Sequence, residues 1–146
     1  MIVVDANLLL YAYDSASSGH AAARAWVERV SSGSEPVILP WQTISAFARI
    51  MSNRRLPGQR FSAQEIVEVV NQWLEQPNVH AFGPGGQHWS FFRQMLMEGQ
   101  ASGDVTSDAQ LAALTLERGG VLHTTDRDFA RFPSLRWKNP LTHESK

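Results

Sequence analysis

Ile2-Val3-Val4-Asp5-Ala6-Asn7-Leu8-Leu9-Leu10-Tyr11-Ala12-Tyr13 opens the chain, and its reading decides the fold. Three consecutive β-branched apolar residues without polar alternation predict a strand buried on both faces, the kind found in parallel sheets. Asp5 ends that strand and has the side chain of a helix N-cap, so a helix is expected over residues 6–13. A strand passing straight into a helix is the first half of a β-α-β unit.

The same alternation continues outward. Val37-Ile38-Leu39, stopped by Pro40, reads as a second strand, Val79 to Phe82 as a third, and Val121-Leu122-His123 as a fourth. Leu135-Arg136-Trp137 is expected as an edge strand before a frayed tail. Between them, helical spacing covers residues 20–30, with Ala23, Trp26, Val27 and Val30 inward, and 41–53, with Ile44, Phe47, Ala48 and Met51 inward. Ser62 opens a helix through a capping box with Glu65, and Ile66, Val69, Val70, Trp73 and Leu74 form its apolar stripe. Two more helices are expected over 88–100 and 107–118, the latter stopped by Gly119-Gly120. Strands alternating with helices indicate an α/β fold around a mainly parallel sheet of four to five strands. One domain is expected over 1–141, with 142–146 as a tail.

Composition narrows the function. The 146 residues include no cysteine, which excludes disulfides and thiolate metal sites. The five histidines lack zinc-binding spacing, the Gly83–Gly86 run lacks the Lys-Ser/Thr of a phosphate loop, and no serine sits in a nucleophile elbow. The opening lacks the basic start and cleavage pattern of a signal peptide, and no apolar run is long enough to span a bilayer, so a cytoplasmic protein without membrane contacts is expected. A net charge of -1 does not by itself mark a nucleic-acid binder, yet eleven of the thirteen basic residues are arginine. Arg49, Arg54, Arg55 and Arg60 cluster at one helix end and its loop; a solvated face and an RNA-phosphate patch are both open readings.

The aspartates carry the chemistry. Ligands in such folds bind beyond the carboxyl ends of the strands, where Asp5 and Asp126 fall. Asp5 reads as a helix cap or a metal ligand. Asp108, in the first turn of its helix, reads as a dipole partner or a ligand. Asp104 reads as a loop acid or a further ligand, and Asp128 as a cap for the turn at Phe129 or an acid that supports the ligands from behind. Asn7, Thr124 and Thr125 could orient the acids or their waters. Carboxylates converging on one cleft repel one another unless a cation joins them, and oxygen-only donors suit Mg2+, with Mn2+ as substitute.

Four segments in order carry a resemblance: the opening one, Leu39-Pro40-Trp41-Gln42-Thr43-Ile44-Ser45-Ala46-Phe47-Ala48-Arg49-Ile50, Ser107-Asp108-Ala109-Gln110-Leu111-Ala112-Ala113-Leu114, and Thr124-Thr125-Asp126-Arg127-Asp128-Phe129-Ala130-Arg131-Phe132-Pro133. Together they make the chain similar to PIN-domain ribonucleases and, more narrowly, to the VapC toxins of type II toxin–antitoxin systems. The resemblance implies a PIN-like α/β/α sandwich and a metal-dependent endoribonuclease, with Asp5, Asp108 and Asp126 as catalytic metal-binding acids. It also implies a homodimer, a small VapB-type antitoxin whose arginine reaches the acidic pocket, and structured RNA such as transfer or ribosomal RNA as substrate. One departure stands out. Many relatives carry a glutamate before the residue matching Phe47, and this chain has Ala46, which leaves either a three-acid site, a site completed by Asp104, or a metal-poor module that mainly binds RNA or its antitoxin.

Overall fold

The computed structural model describes residues 1–142 and the backbone of 144–145. Its sheet runs β3-β2-β1-β4-β5-β6, with β1 at Ile2–Val4, β2 at Val37–Pro40, β3 at Val79–Phe82, β4 at Val121–His123, β5 at Trp137–Asn139 and β6 at Glu144–Ser145. The first five strands are mutually parallel. The edge strand lies two residues later than its sequence suggested. The tail expected to fray pairs antiparallel with β5 through Lys138↔Ser145 and Asn139↔Glu144.

Alternation along β1 divides the interior into two layers. Ile2 and Val4 face the first, with Leu39, Val79 and helices α1 (Ala6–Tyr13), α2 (His20–Ser31), α3 (Trp41–Met51) and α4 (Ala63–Glu75). Val3 faces the second, with Ile38, Leu122 and helices α5 (His88–Glu98) and α6 (Val105–Arg118). A sheet covered by helices on both faces explains why its strands are uniformly apolar. The α4 stripe is narrower than its spacing implied: Ile66 and Trp73 are buried, but Leu74 is exposed. Trp41 and Trp89 also stand out in solvent, whereas Trp26, Trp73 and Trp137 are core. No helix among the described residues is long and apolar enough to cross a membrane.

The chain builds outward from β1 to β2 and β3, then returns to place β4 on the other side of β1. That reversal opens a crevice at the carboxyl ends of β1 and β4, the usual ligand position in an open α/β sheet.

Candidate active site

Asp5 leaves β1 at this crevice. Its amide donates to the His123 carbonyl at 3.1 Å, which stitches the ends of β1 and β4 together. As the N-cap of α1 its Oδ1 accepts the Ala6 amide at 2.7 Å. Oδ2 remains for a second partner, the Thr124 hydroxyl at 2.8 Å. Capping and site geometry are thus two duties of one carboxylate.

Thr124, fully buried, organises the rest. While donating to Asp5, its hydroxyl accepts the Asn7 side-chain amide at 3.2 Å and the Asp126 backbone amide at 3.0 Å. One hydroxyl thereby uses its donor and both acceptor positions. Asn7 returns through Oδ1 to the Thr125 amide at 3.4 Å, so Thr125 takes part through its backbone and not, as expected, through its hydroxyl.

Asp126 caps a single 3-10 turn, Arg127–Arg131, by accepting the Asp128 amide at 2.9 Å. The capping duty expected of Asp128 belongs to Asp126, because the turn begins two residues earlier than the reading centred on Phe129 supposed. Asp128 is instead an exposed acid in the first turn.

Asp108 enters from the opposite wall. Helix α6 begins at Val105, a half-turn before the expected Ser107, so Asp104 occupies its N-cap position, exposed and without a side-chain capping bond. Asp108, partly buried, lines a cavity of about 170 Å3 with Asp5, Gln42, Thr43, Ala46 and Leu111. Thr43 fixes one wall by donating to the Val4 carbonyl at 2.8 Å, and Gln42 reaches the Ser107 carbonyl at 3.4 Å. Neither was singled out in the sequence, where both look like ordinary first-turn helix residues. Ala46 stands on the cavity wall, so its missing carboxylate is missing from the site itself.

The electrostatics follow. Burial, then the charges of Asp126, Asp5 and Asp128, push the Asp108 carboxyl up to about 6, with Arg131 opposing. Burial also raises Asp5, against the hydrogen bonds from Thr124 and Ala6, and Asp126 adds to the rise. Asp104 is not among the charges acting on either. Asp5 and Asp108 line one opening, and Asp126 and Asp128 add their charge at Asp108 with only Arg131 opposing, which suits a hard cation bound by oxygen. Among the described residues, no three acidic or imidazole side chains are gathered tightly enough to hold an ion directly. The fit is to a hydrated ion, touching one or two carboxylates and meeting the others through water, as Mg2+ prefers. A water needs only about 10–15 Å3 of such space, so the cavity has room.

None of the clustered arginines lines the cavity. Arg49, Arg54 and Arg55 are exposed at and beyond the end of α3, whose first turns line the cavity. Arg49 follows the wall residue Ala46 by three helical residues, about 4.5 Å along the axis, and Arg54 and Arg55 lie in the loop beyond Met51. Arg60 braces the loop, donating to the carbonyls of Asn53 at 3.2 Å and Pro57 at 2.6 Å.

No family model matches the chain. Ribonuclease VapC43 of Mycobacterium tuberculosis is 38% identical over 141 residues, spanning 97% of this chain and 96% of its own. Ribonuclease VapC33 of the same organism is 33% identical over 141 residues, or 97% and 99%. Among solved structures, VapBC2 from Rickettsia felis, bound to a promoter DNA fragment, shares the fold with a TM-score of 0.69 at 13% identity, covering 95% of this chain and 98% of that one. An acid crevice at the β1–β4 junction, on this sheet, in a sequence so similar over nearly its full length to curated ribonucleases, leads to one conclusion: the chain belongs to the VapC ribonuclease family.

Proposed function

We propose that this protein is a Mg2+-dependent endoribonuclease toxin of a type II toxin–antitoxin system. The observation that carries the reading is the state of Asp108, which lines an open cavity with Asp5 and whose carboxyl is pushed up to about 6 by burial and by the charges of Asp126, Asp5 and Asp128. A fold keeps such mutual repulsion where a ligand relieves it. Asp5, Asp108 and Asp126 would hold the ion, Asp128 would add outer charge, and Asn7 and Thr124 would fix the carboxylates in place. When bound, the ion supplies charge neutralisation at a phosphodiester and lowers the pKa of water, the two needs of hydrolysis at neutral pH. Hydrolysis in this sense leaves a 3′-hydroxyl and a 5′-phosphate. The half-buried carboxylates exclude bulk solvent from one side of the reacting phosphate and direct the attacking water by hydrogen bonding.

Partners follow the family. A VapB-type antitoxin is supported by the complexed state of the structural relative, and its inhibitory cation would satisfy the same carboxylates. A homodimer and a structured RNA substrate, transfer or ribosomal, complete the proposal. Ala46 favours a second reading, a module that grips RNA or antitoxin with little turnover. Asp5→Asn and Asp126→Asn test the first: each should abolish cleavage of an RNA mixture in Mg2+ or Mn2+ while the circular dichroism spectrum stays native. Undiminished cleavage by either variant would overturn the mechanism, and a wild type that neither binds Mn2+ saturably nor cleaves RNA would select the second reading.

A further inference from the structure

The acid site poses an electrostatic difficulty for its own substrate. Asp5, Asp108, Asp126 and Asp128 bring four negative charges, and one dication offsets two of them, so an RNA backbone would still approach a negative opening. The exposed arginines at and beyond the end of α3 are not among the charges that act on Asp108. A cation is needed at the lip.

The 3-10 turn supplies one. Such a turn has three residues per repeat, so side chains at i and i+3 eclipse, and Asp128 and Arg131 stand on one side of it. The turn springs directly from Asp126, whose amide the Thr124 hydroxyl ties to Asp5, so it lies beside the acid site, and the charges of Asp128 and Arg131 both reach the Asp108 carboxyl. The turn is anchored from beneath. Phe129 and Phe132 are buried to 1% and 0% exposure, and the Phe132 ring fills the space that a side chain at Gly99 would need. Asp126 caps its start. Arg131 is therefore an exposed side chain on a fixed backbone. Among the described residues its guanidinium closes no hydrogen bond or ion pair, even with the eclipsed Asp128. Other arginines are occupied: Arg24 with Glu28, Arg118 over the Phe82 ring, and Arg136 with the Gly119 carbonyl.

We propose that Arg131 is a substrate-positioning residue, its guanidinium fork engaging the non-bridging oxygens of an RNA phosphate adjacent to the one over the acid cavity. The proposal rests on the ribonuclease reading and deepens it. A planar fork with free donors is the geometry that phosphate oxygens accept in pairs. Placed five residues after Asp126, it also sets which side of the cavity the strand must cross.

The test uses the full chain carrying Asp5→Asn, so that RNA binds without being cut. Binding of a fluorescent RNA hairpin is followed by anisotropy over a range of salt concentrations, with and without Arg131→Ala or Arg131→Lys. Loss of Arg131 should weaken binding about 10-fold near 100 mM salt and lower the salt slope by about one. Arg131→Lys should keep the slope and recover part of the affinity. Arg93→Ala, an exposed arginine on α5, should change neither. An Arg131→Ala affinity within about twofold of the parent, with the same slope, would overturn the proposal and leave the ribonuclease reading standing. A parent that binds no RNA at any salt would overturn both.

Discussion

Thr124 donates its hydroxyl to Asp5 Oδ2 at 2.8 Å across 119 residues of chain, and the Thr124 Oγ1 in turn accepts the Asp126 amide at 3.0 Å. One buried side chain therefore sets the spacing of two of the site's acids. The two residues terminate neighbouring parallel strands, so their contact is a property of the sheet order and not of any local motif.

Removing that hydroxyl should separate positioning from packing. Thr124→Val keeps the shape but leaves Asp5 Oδ2 without its donor and the Asp126 amide without its acceptor, at a cost of about 1–3 kcal/mol. It also removes a bond that lowers the Asp5 carboxyl, which should rise further. Cleavage should fall more than 10-fold, with the alkaline shift of the acid limb visible in the pH–rate profile. Thr124→Ser should restore most of both. A valine variant with wild-type activity would remove Thr124 from the site.

Asp108 should show the opposite relation between stability and activity. A carboxyl raised from 3.8 to about 6 contributes stability below its unfolded value and loses it as pH rises through the folded one, so at pH 7.5 the charge is destabilising. Asp108→Asn should raise stability at that pH by about 1 kcal/mol, the full shift being discounted for solvent screening of a half-exposed group. Cleavage should vanish in the same variant. Millimolar Mg2+ should raise the wild-type Tm and move the variant's less. A lower Tm for the variant at pH 7.5 would show that the acids do not repel one another.

Much of this was legible in the sequence, and the parts that were not share a cause. Strand β1 and the Asp5 cap announce themselves because burial on both faces and a strand-to-helix junction are local signals. Ile44, Phe47 and Met51 followed from period. The roles of Asp128 and Arg131 did not, since a 3-10 repeat of three is indistinguishable from a loop over five residues. Thr43 and Gln42 became wall residues only through the placement of α6 across from α3. Leu74 obeyed helical spacing yet remains exposed, because spacing tells which residues share a face and not how wide the covering layer is.

Ala46 offers a gain-of-charge test. Ala46 lies on the cavity wall, so Ala46→Glu would add the carboxylate that the family resemblance implies there. Without an ion the added charge should lower Tm by several degrees through repulsion with Asp5 and Asp108. With Mn2+ the loss should reverse, and calorimetry should show binding about 10-fold tighter than in the wild type, a difference of about 1.4 kcal/mol. Unchanged Mn2+ affinity would show that the fourth position is not needed here.

His123 provides the last test, because its pH dependence runs against that of the acids. It is buried at 7% exposure, stacks on Trp26 at 5.6 Å, and has no hydrogen-bond partner at Nδ1. Burial, with Lys138 adding, pushes its pKa down from 6.5 to about 4. Between those values the unfolded chain binds the proton and the folded chain does not, so stability is complete above 6.5 and is lost as pH falls toward 4. The loss is on the order of 3 kcal/mol. Over the same interval Asp108 and Asp5 gain stability as pH falls, so the wild-type profile is a compromise of opposed slopes. His123→Phe keeps the stack and the backbone carbonyl that holds Asp5, and it removes only the descending component. Its unfolding free energy by urea titration should therefore rise from pH 6.5 to 4.5, where that of the wild type stays flat or falls. A variant with the wild-type slope would mean that His123 is protonated in the folded protein, and that the base of the Thr124 strand tolerates a buried charge.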